Sequence, residues 1–190
     1  MEQLTRVQAL IRNAYLTVVA EKGFQDMSVK DILENAGVSR SGFYSHYEDK
    51  YHLRTSIENE VLDQLAAAFS AVRQSSTGAP LNNKVPNAAD YYALYYECLE
   101  KNEELVRLLL SPKNGDHFLL QLIDFVREQQ GITREVWGAR TTIAADLLEI
   151  YSAGLAWTYV GTFVAWINTD KNERPAPKRM GAAIASYFDF

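Results

Sequence analysis

The sequence predicts an all-α protein of about nine helices, and three observations support this prediction. Apolar residues recur at three- and four-residue intervals through most of the 190 residues, which is the spacing of an amphipathic helix. No segment shows the apolar–polar alternation that is typical of a β-strand. Hydrophobic residues make up 47% and charged residues 23% of the chain, as in an average soluble globular protein.

Four helices are predicted in the N-terminal part of the chain, and each has a recognisable start or end. Gly23 ends the first apolar stripe and suits a helix C-terminus, whereas Ser28 suits the N-cap of the second helix. Gly37 then allows a tight turn, Ser39 can cap a third short helix, and Asp49 can cap a long fourth one. The predicted helices cover about residues 5–22, 28–36, 39–47 and 49–72.

The second part of the chain begins after a clear break. Residues 75–88 contain two prolines, one glycine and several small polar residues, so an exposed loop is predicted there. Helical patterns follow at 88–101, 103–110, 116–130 and 141–168, and a last helix reaches about residue 188. The segment 131–140 fits no pattern clearly.

Charge and composition limit the classes of protein that need to be considered. The net charge is −5, and residues 1–60 contain seven basic and nine acidic residues, so general affinity for nucleic acid is not expected. Any DNA binding must therefore depend on a local motif. No long uncharged apolar stretch predicts a membrane span, and the N-terminus does not have the pattern of a secretory signal. With a single cysteine, Cys98, the expected compartment is the reducing cytoplasm.

The segment 28–47 has the pattern of a helix-turn-helix, in which the second helix lies in the DNA major groove. Apolar Ile32, Val38 and Phe43 can hold the two short helices against the first helix. The second short helix exposes small hydroxyl residues together with Arg40, which can bind guanine, and Tyr44, which can reach phosphates. A plain helical hairpin is the alternative interpretation, because glycine turns between helices are common.

The residues that follow Gly37 resemble a known signature. The run VSRSGFYSHYEDK, which starts at Val38, resembles the VSxxx[FL]YxHFxxK signature of the tetracycline-repressor (TetR) family. The preceding DILENAG resembles the second helix of that family, and Leu53 resembles the leucine near the start of its fourth helix.

This resemblance implies a domain organisation and a set of DNA-contacting residues. Residues 1–50 would form an N-terminal three-helix DNA-binding domain, and residues 51–190 would form a helical domain for ligand binding and dimerisation. Carried over by position, the expected DNA contacts are Ser28, Ser39, Arg40, Ser41, Gly42, Tyr44, His46 and Lys50. Tyr44, His46 and Lys50 would bind phosphates, whereas Arg40 and Ser41 would read bases.

The resemblance also implies a function, namely ligand-responsive regulation of transcription. A homodimer would bind a palindromic double-stranded DNA operator, because a dimer places two recognition helices about 34 Å apart. Release from DNA by a small molecule, and hence repression, is the expected behaviour, with activation as the alternative. A helical binding or scaffold protein whose helix-turn-helix no longer binds DNA specifically is a rival class, motivated by the acidity of residues 1–60.

An aromatic cluster in the second part of the chain is the candidate ligand site. The aromatic residues that are candidates to contact a ligand are Tyr92, Tyr95, Tyr96, Phe118 and Tyr151. Together they would offer flat apolar walls edged by hydroxyls, so a mostly apolar or aromatic small molecule is expected. Packing in the core is the alternative interpretation of each of these residues.

Two further features concern association and chemistry. Gly154, Gly161 and Ala165 are spaced so that another helix can approach closely, either in a dimer or in the core. The histidines are scattered without metal-ligand spacing, and no nucleophile–base arrangement or phosphate-binding loop is visible. We therefore expect no enzyme, no metal and no cofactor.

Overall fold

The computed structural model describes residues 4–76, 88–137, 144 and 146–187. Within these residues the chain forms nine helices and no strand, which confirms the all-α prediction. The helices are α1 (Arg6–Lys22), α2 (Val29–Ala36), α3 (Arg40–Tyr44), α4 (Lys50–Ser76), α5 (Ala88–Glu100), α6 (Glu103–Leu109), α7 (His117–Trp137), α8 (Leu148–Asn168) and α9 (Pro177–Tyr187). The predicted loop at 75–88 lies, apart from its ends, outside the described residues.

Three helix ends differ from the predicted ones. Helix α3 ends at Tyr44 because the amide of His46 donates to the carbonyl of Phe43, which tightens the chain into a turn. Helix α7 continues through 131–137, so this part of the ambiguous segment is helical, and residues 138–140 lie outside the described part. Helix α8 starts at Leu148 and not near residue 141, and it has no side-chain N-cap.

The chain forms two compact units. The first comprises Met1–Val61 and Glu104–Phe118, so the helix-turn-helix, the start of α4 and most of α6 belong together. The second comprises Leu62–Glu103 and Leu119–Phe190. These units reflect packing alone. The predicted boundary at residue 50, between a DNA-binding domain and a ligand-binding and dimerisation domain, stays a prediction.

The core of the first unit fixes the position of the helix-turn-helix. Phe43 of α3 and Ile32 of α2 are completely buried, as the apolar pattern predicts. The other helices of the unit contribute aliphatic and aromatic side chains to the same core, namely Ile11, Tyr15, Val19, Leu53, Ile57, Val106 and Leu109. Burial of such side chains stabilises each by about 1.5–3 kcal/mol relative to exposure.

The core of the second unit is mainly aromatic. Tyr95 and Tyr96 of α5 pack against Phe163 of α8 with ring centroids 5.2 and 5.8 Å apart. Helix α9 packs closely on α5 at Gly181, where an added Cβ would lie 2.5 Å from the backbone nitrogen of Ala93. Glycine at this position therefore permits the close approach of the two helices.

Helix α8 has one buried and one exposed side. Its residues Tyr159, Phe163 and Trp166 are buried, whereas Ile150 is 73% and Trp157 is 53% exposed. Among the described helices, it is the one whose length and mean hydropathy of 1.2 would suit a membrane span, and 39% of the apolar stretch is buried. A helix that buries an aromatic side within a globular core has the same composition, so this is weak support for a membrane segment.

Candidate nucleic-acid interface

Local signals position the two helices of the motif. The hydroxyl of Ser28 accepts from the amide of Asp31 at 3.2 Å, and the Asp31 carboxylate accepts from the amide of Ser28 at 2.8 Å. This reciprocal pair is a capping box, and it fixes the start of α2. Gly37 has a φ of 63°, a left-handed conformation that favours glycine and turns the chain towards α3.

The carboxylate of Asp31 also holds the motif against α1. Lys22, in the last turn of α1, donates to Asp31, and together with the Ser28 bonds this contact keeps the pKa of Asp31 well below its usual range. Because the Asp31 pKa is depressed, its contribution to stability is complete at neutral pH and is lost only in acid. The cap of α2 is thus charged under all ordinary conditions.

Helix α3 is short, and its buried side and its start are both fixed by neighbours. Ser39 accepts from the amide of Gly42 at 3.1 Å and so caps the helix. An added Cβ at Gly42 would lie 3.0 Å from a methyl of Val38, so glycine lets the helix pack tightly on the turn. Phe43 is completely buried and touches Tyr44 and Tyr47 with ring centroids 5.4 and 5.7 Å apart.

The opposite side of α3 is free to meet a partner. Arg40, Ser41 and Tyr44 are exposed, and Tyr44 is 47% exposed. The guanidinium of Arg40 lies 5.8 Å from the centre of the Tyr44 ring, so these two predicted DNA contacts are adjacent. The structure thus brings a forked donor, a hydroxyl and a phenol together on one surface, which is the set that base and phosphate contacts require.

The remaining predicted contacts surround this surface with different degrees of exposure. Ser28 and Ser39 are exposed, but their hydroxyls serve as helix caps. Gly42 and His46 are half-buried. The DNA roles of all these residues stay predictions.

Lys50 has an internal role that the sequence did not reveal. Its ammonium donates to the carbonyls of Phe24 at 2.9 Å, Gln25 at 3.3 Å and Met27 at 2.7 Å. It also lies 4.7 Å from the centre of the Phe24 ring. A lysine has three donors, so this geometry occupies all of them within the chain, and the phosphate contact of Lys50 stays a prediction. Lys50 therefore joins the start of α4 to the connection between α1 and α2.

Residues 11–57 match the family model described as bacterial regulatory proteins, tetR family. The fold is similar to that of a TetR transcriptional regulator from Streptococcus agalactiae, with 19% identity, a TM-score of 0.65 and coverage of 96% of this chain and 93% of that one. A TetR-family regulator from Syntrophomonas wolfei gives 16% identity, a TM-score of 0.66 and coverage of 95% and 92%. The dihydroxyacetone kinase operon activator DhaS is also similar in fold, with 13% identity, a TM-score of 0.55 and coverage of 96% of this chain and 93% of that one.

The capped helices α2 and α3 and the match of residues 11–57 together define a domain of the helix-turn-helix class. Residues 11–57 therefore match the N-terminal domain of the tetR family, and the fold of the chain is similar to that of TetR-family regulators. The resemblance inferred from the VSRSGFYSHYEDK run is thereby confirmed.

The predicted ligand residues are only partly brought together. Tyr92 and Tyr95 lie with their ring centroids 5.6 and 4.8 Å from that of Tyr159, and Tyr96 packs against Trp166 at 5.1 Å. These contacts place the tyrosines of α5 among aromatic residues of α8, as the core-packing interpretation describes. Their role in binding a ligand stays a prediction.

The other two members of the predicted set lie on α7 and α8. Phe118 is completely buried in the first unit, and Tyr151 is 37% exposed on α8. A groove of about 850 Å³ opens within the second unit, and its wall does not include any of the five predicted aromatic residues. Its lining is Leu62, Gln121, Asp124, Phe125, Arg127, Glu128, Leu148, Glu149 and Ser152.

Sequence reasoning missed a buried polar network in the first unit. Glu58 is completely buried, and its carboxylate lies 2.6 Å from Nδ1 of His117 and 3.5 Å from the amide nitrogen of Asn114. A signal was present, because Glu58 precedes Val61 and Leu65 by three and seven residues and so lies on the buried stripe of α4. Its partners could not be found, because they are 59 and 56 positions away in the chain.

Proposed function

We propose that this chain is a ligand-responsive transcriptional repressor that binds a palindromic operator as a homodimer. The observation that carries the DNA part is the exposed surface of α3, where Arg40, Ser41 and Tyr44 project from a helix whose other side is buried and capped. Such a surface fits the major groove, with Arg40 reading guanine and Tyr44 binding a phosphate. The cytoplasm is the compartment in which a bacterial operator would be met.

The experiment is selection of a DNA site from a randomised library, followed by fluorescence anisotropy with the selected duplex. Arg40→Ala should reduce the free energy of binding to the selected duplex by about 1–3 kcal/mol and relax the sequence preference at one base pair. Tyr44→Ala should weaken binding to the selected duplex and to random DNA to a similar extent, because contacts to phosphates carry no sequence information. Lys30→Ala is the matched control, since Lys30 is 82% exposed on α2, the helix that precedes the turn.

Each outcome decides between classes of protein. If the wild-type chain selects no sequence although it is folded, the rival proposal of a helical scaffold with an inactive helix-turn-helix replaces this one. If Arg40→Ala and Lys30→Ala have equal effects, the surface of α3 is not the reading surface.

The dimer is proposed from the exposed side of α8. Gly154 and Gly161 are exposed, and an added Cβ at either meets no described residue within 4 Å. Contact with another of the described helices therefore does not account for these glycines. Together with exposed Trp157 and Ile150 they form an apolar surface that a second copy would cover. Two copies are also what a palindromic operator requires.

The ligand part is proposed from Tyr95. Its side chain is completely buried, and its hydroxyl makes no hydrogen bond with any residue that the structure describes. A buried hydroxyl without a partner costs about 1–3 kcal/mol, so a polar atom of a bound molecule would be stabilised there. Burial also raises the pKa of Tyr95, so the phenol stays neutral and can donate to a ligand. Tyr95→Phe should weaken the response to an inducer and leave operator binding unchanged.

A further inference from the structure

The buried network around Glu58 joins four parts of the first unit. His117 comes from the start of α7, Asn114 from the loop that joins α6 and α7, and Arg54 from α4 itself. Asn114 is completely buried, and its oxygen accepts from the hydroxyl of Tyr15 on α1 at 2.8 Å. The side chain of Glu58 is thus the point where α4 and the α6–α7 loop meet.

The charges that face Glu58 show which contact matters most. Arg54 is the nearest permanent cation, but its Nε is 3.9 Å from the carboxylate and makes no hydrogen bond with the described residues. Its guanidinium lies instead 4.1 Å from the centre of the Phe24 ring. Asn114 and Tyr15 are neutral. The 2.6 Å contact with His117 is therefore the one short bond to this carboxylate, and it is the one that can gain or lose a charge.

The same loop contacts the end of α1 and the connection between α1 and α2 through two further hydrogen bonds. The carbonyl of Lys113 accepts from the amide of Phe24 at 2.7 Å, and the ammonium of Lys113 donates to the carbonyl of Ala20 at the end of α1. The carbonyl of Phe24 in turn accepts from Lys50, which opens α4 directly after α3. A displacement of the loop would thus disturb the connection that holds α1, α2 and α4 around the recognition helix.

We propose that Glu58 and His117 form a proton-dependent latch between α4 and the α6–α7 loop, through which operator affinity decreases as the pH rises. This inference rests on the proposed DNA binding. In the closed latch the pair shares a proton, and the short bond is charge-assisted. When that proton is lost, the carboxylate keeps only a neutral donor and a distant cation, and the loop is held less firmly.

The direction of the effect follows from burial. Burial raises the pKa of Glu58, and the hydrogen bond from His117 opposes this rise. A group whose pKa is raised in the folded state stabilises that state at low pH, and the stabilisation is lost as the pH rises through the raised value. Because the Glu58 carboxylate and the His117 ring are joined by one 2.6 Å contact, replacing either residue removes this contribution.

The test compares the wild-type chain with His117→Gln and Glu58→Gln at pH 6.0 and 8.5 and constant salt. Anisotropy with the selected operator should show wild-type affinity falling about fivefold more than that of either variant, which is the lower end of typical coupling between sites. His46 and His52 are present in all three proteins, so any effect of theirs cancels in the comparison. The side chain of His117 is 39% exposed, so glutamine is accommodated there without loss of the fold.

A second measurement uses no DNA and separates the latch from the proposed function. Hydrogen exchange of residues 111–117, corrected for the intrinsic effect of pH, should show protection that decreases with pH in the wild-type chain and not in His117→Gln. Equal pH profiles of exchange in both proteins overturn the latch. If the wild-type chain and His117→Gln differ in the pH profile of exchange but have equal pH profiles of operator affinity, the coupling of the latch to DNA binding is overturned. If the wild-type chain selects no DNA, the proposed function fails, and exchange alone decides the latch.

Discussion

Replacing Lys50 by alanine distinguishes the internal role seen in the structure from the phosphate contact predicted from the sequence. The substitution removes three hydrogen bonds to backbone carbonyls, two of them part-buried, and a cation that lies over the Phe24 ring. A hydrogen bond that involves a charged group contributes about 1.5–3 kcal/mol, and the exposed bond to Gln25 contributes least. We therefore expect the free energy of unfolding to fall by about 2–4 kcal/mol.

Urea unfolding followed by circular dichroism measures this loss. The three tryptophans, Trp137, Trp157 and Trp166, all belong to the second unit, so tryptophan fluorescence reports on that unit and provides an internal comparison. Lys30→Ala is again the control, because its ammonium is exposed and pairs with Glu34 at 3.7 Å. This exposed pair should change the free energy of unfolding by less than about 0.5 kcal/mol.

One result would refute the internal role. If Lys50→Ala unfolds like the wild-type chain but binds DNA with a salt slope reduced by about 1, the ammonium neutralises a phosphate. The three carbonyl contacts would then be secondary, and the role predicted from the family signature would be correct.

Three further predictions concern the second unit. Gly161→Leu should leave the monomer folded but weaken dimer formation, measured by analytical sedimentation. Gly131→Leu, also at a helical glycine with open space around it, should not weaken dimer formation. If Gly161→Leu remains dimeric, the interface lies elsewhere. Arg174→Ala should lower the free energy of unfolding, measured by thermal denaturation, by about 3–5 kcal/mol, because Arg174 is buried against Glu100 and Glu103. Lys171→Ala is the control, since Lys171 is exposed and should have little effect. Equal losses in the two variants contradict the prediction. Gly181→Ala should destabilise by about 1–3 kcal/mol in the same assay, since its Cβ would meet the backbone of α5; an unchanged midpoint rejects this packing.

The parts that could be predicted from the sequence are those determined by nearby residues. Ser28, Gly37 and Ser39 cap or turn the motif as expected, because each acts on backbone atoms within about four positions. Phe43 is buried as its apolar neighbours indicated. The signature of the family is also local, so the helix-turn-helix was found without knowledge of any distant contact.

The parts that could not be predicted depend on partners that are far away in the chain. The periodicity of α5 shows that Tyr92, Tyr95 and Tyr96 are neighbours, but it does not show whether a ligand or another helix covers them. The structure places Tyr159 against them, 63 or more positions later. In the same way, a lysine in a DNA-binding signature was expected to meet phosphate, and only the fold shows the carbonyls around Lys50.

The make-up of the first unit shows that the packing of the helix-turn-helix depends on a later part of the chain. Residues 104–118 pack with residues 1–61 although they follow them by more than forty positions, and they supply partners for buried Glu58 and Tyr15. Without this segment, a buried carboxylate on α4 would lose its short hydrogen bond, and the amide of Phe24 would lose its acceptor. Residues 1–61 therefore do not complete the core around the helix-turn-helix by themselves. The loop between α6 and α7 completes it, and α7 begins in the network of that loop.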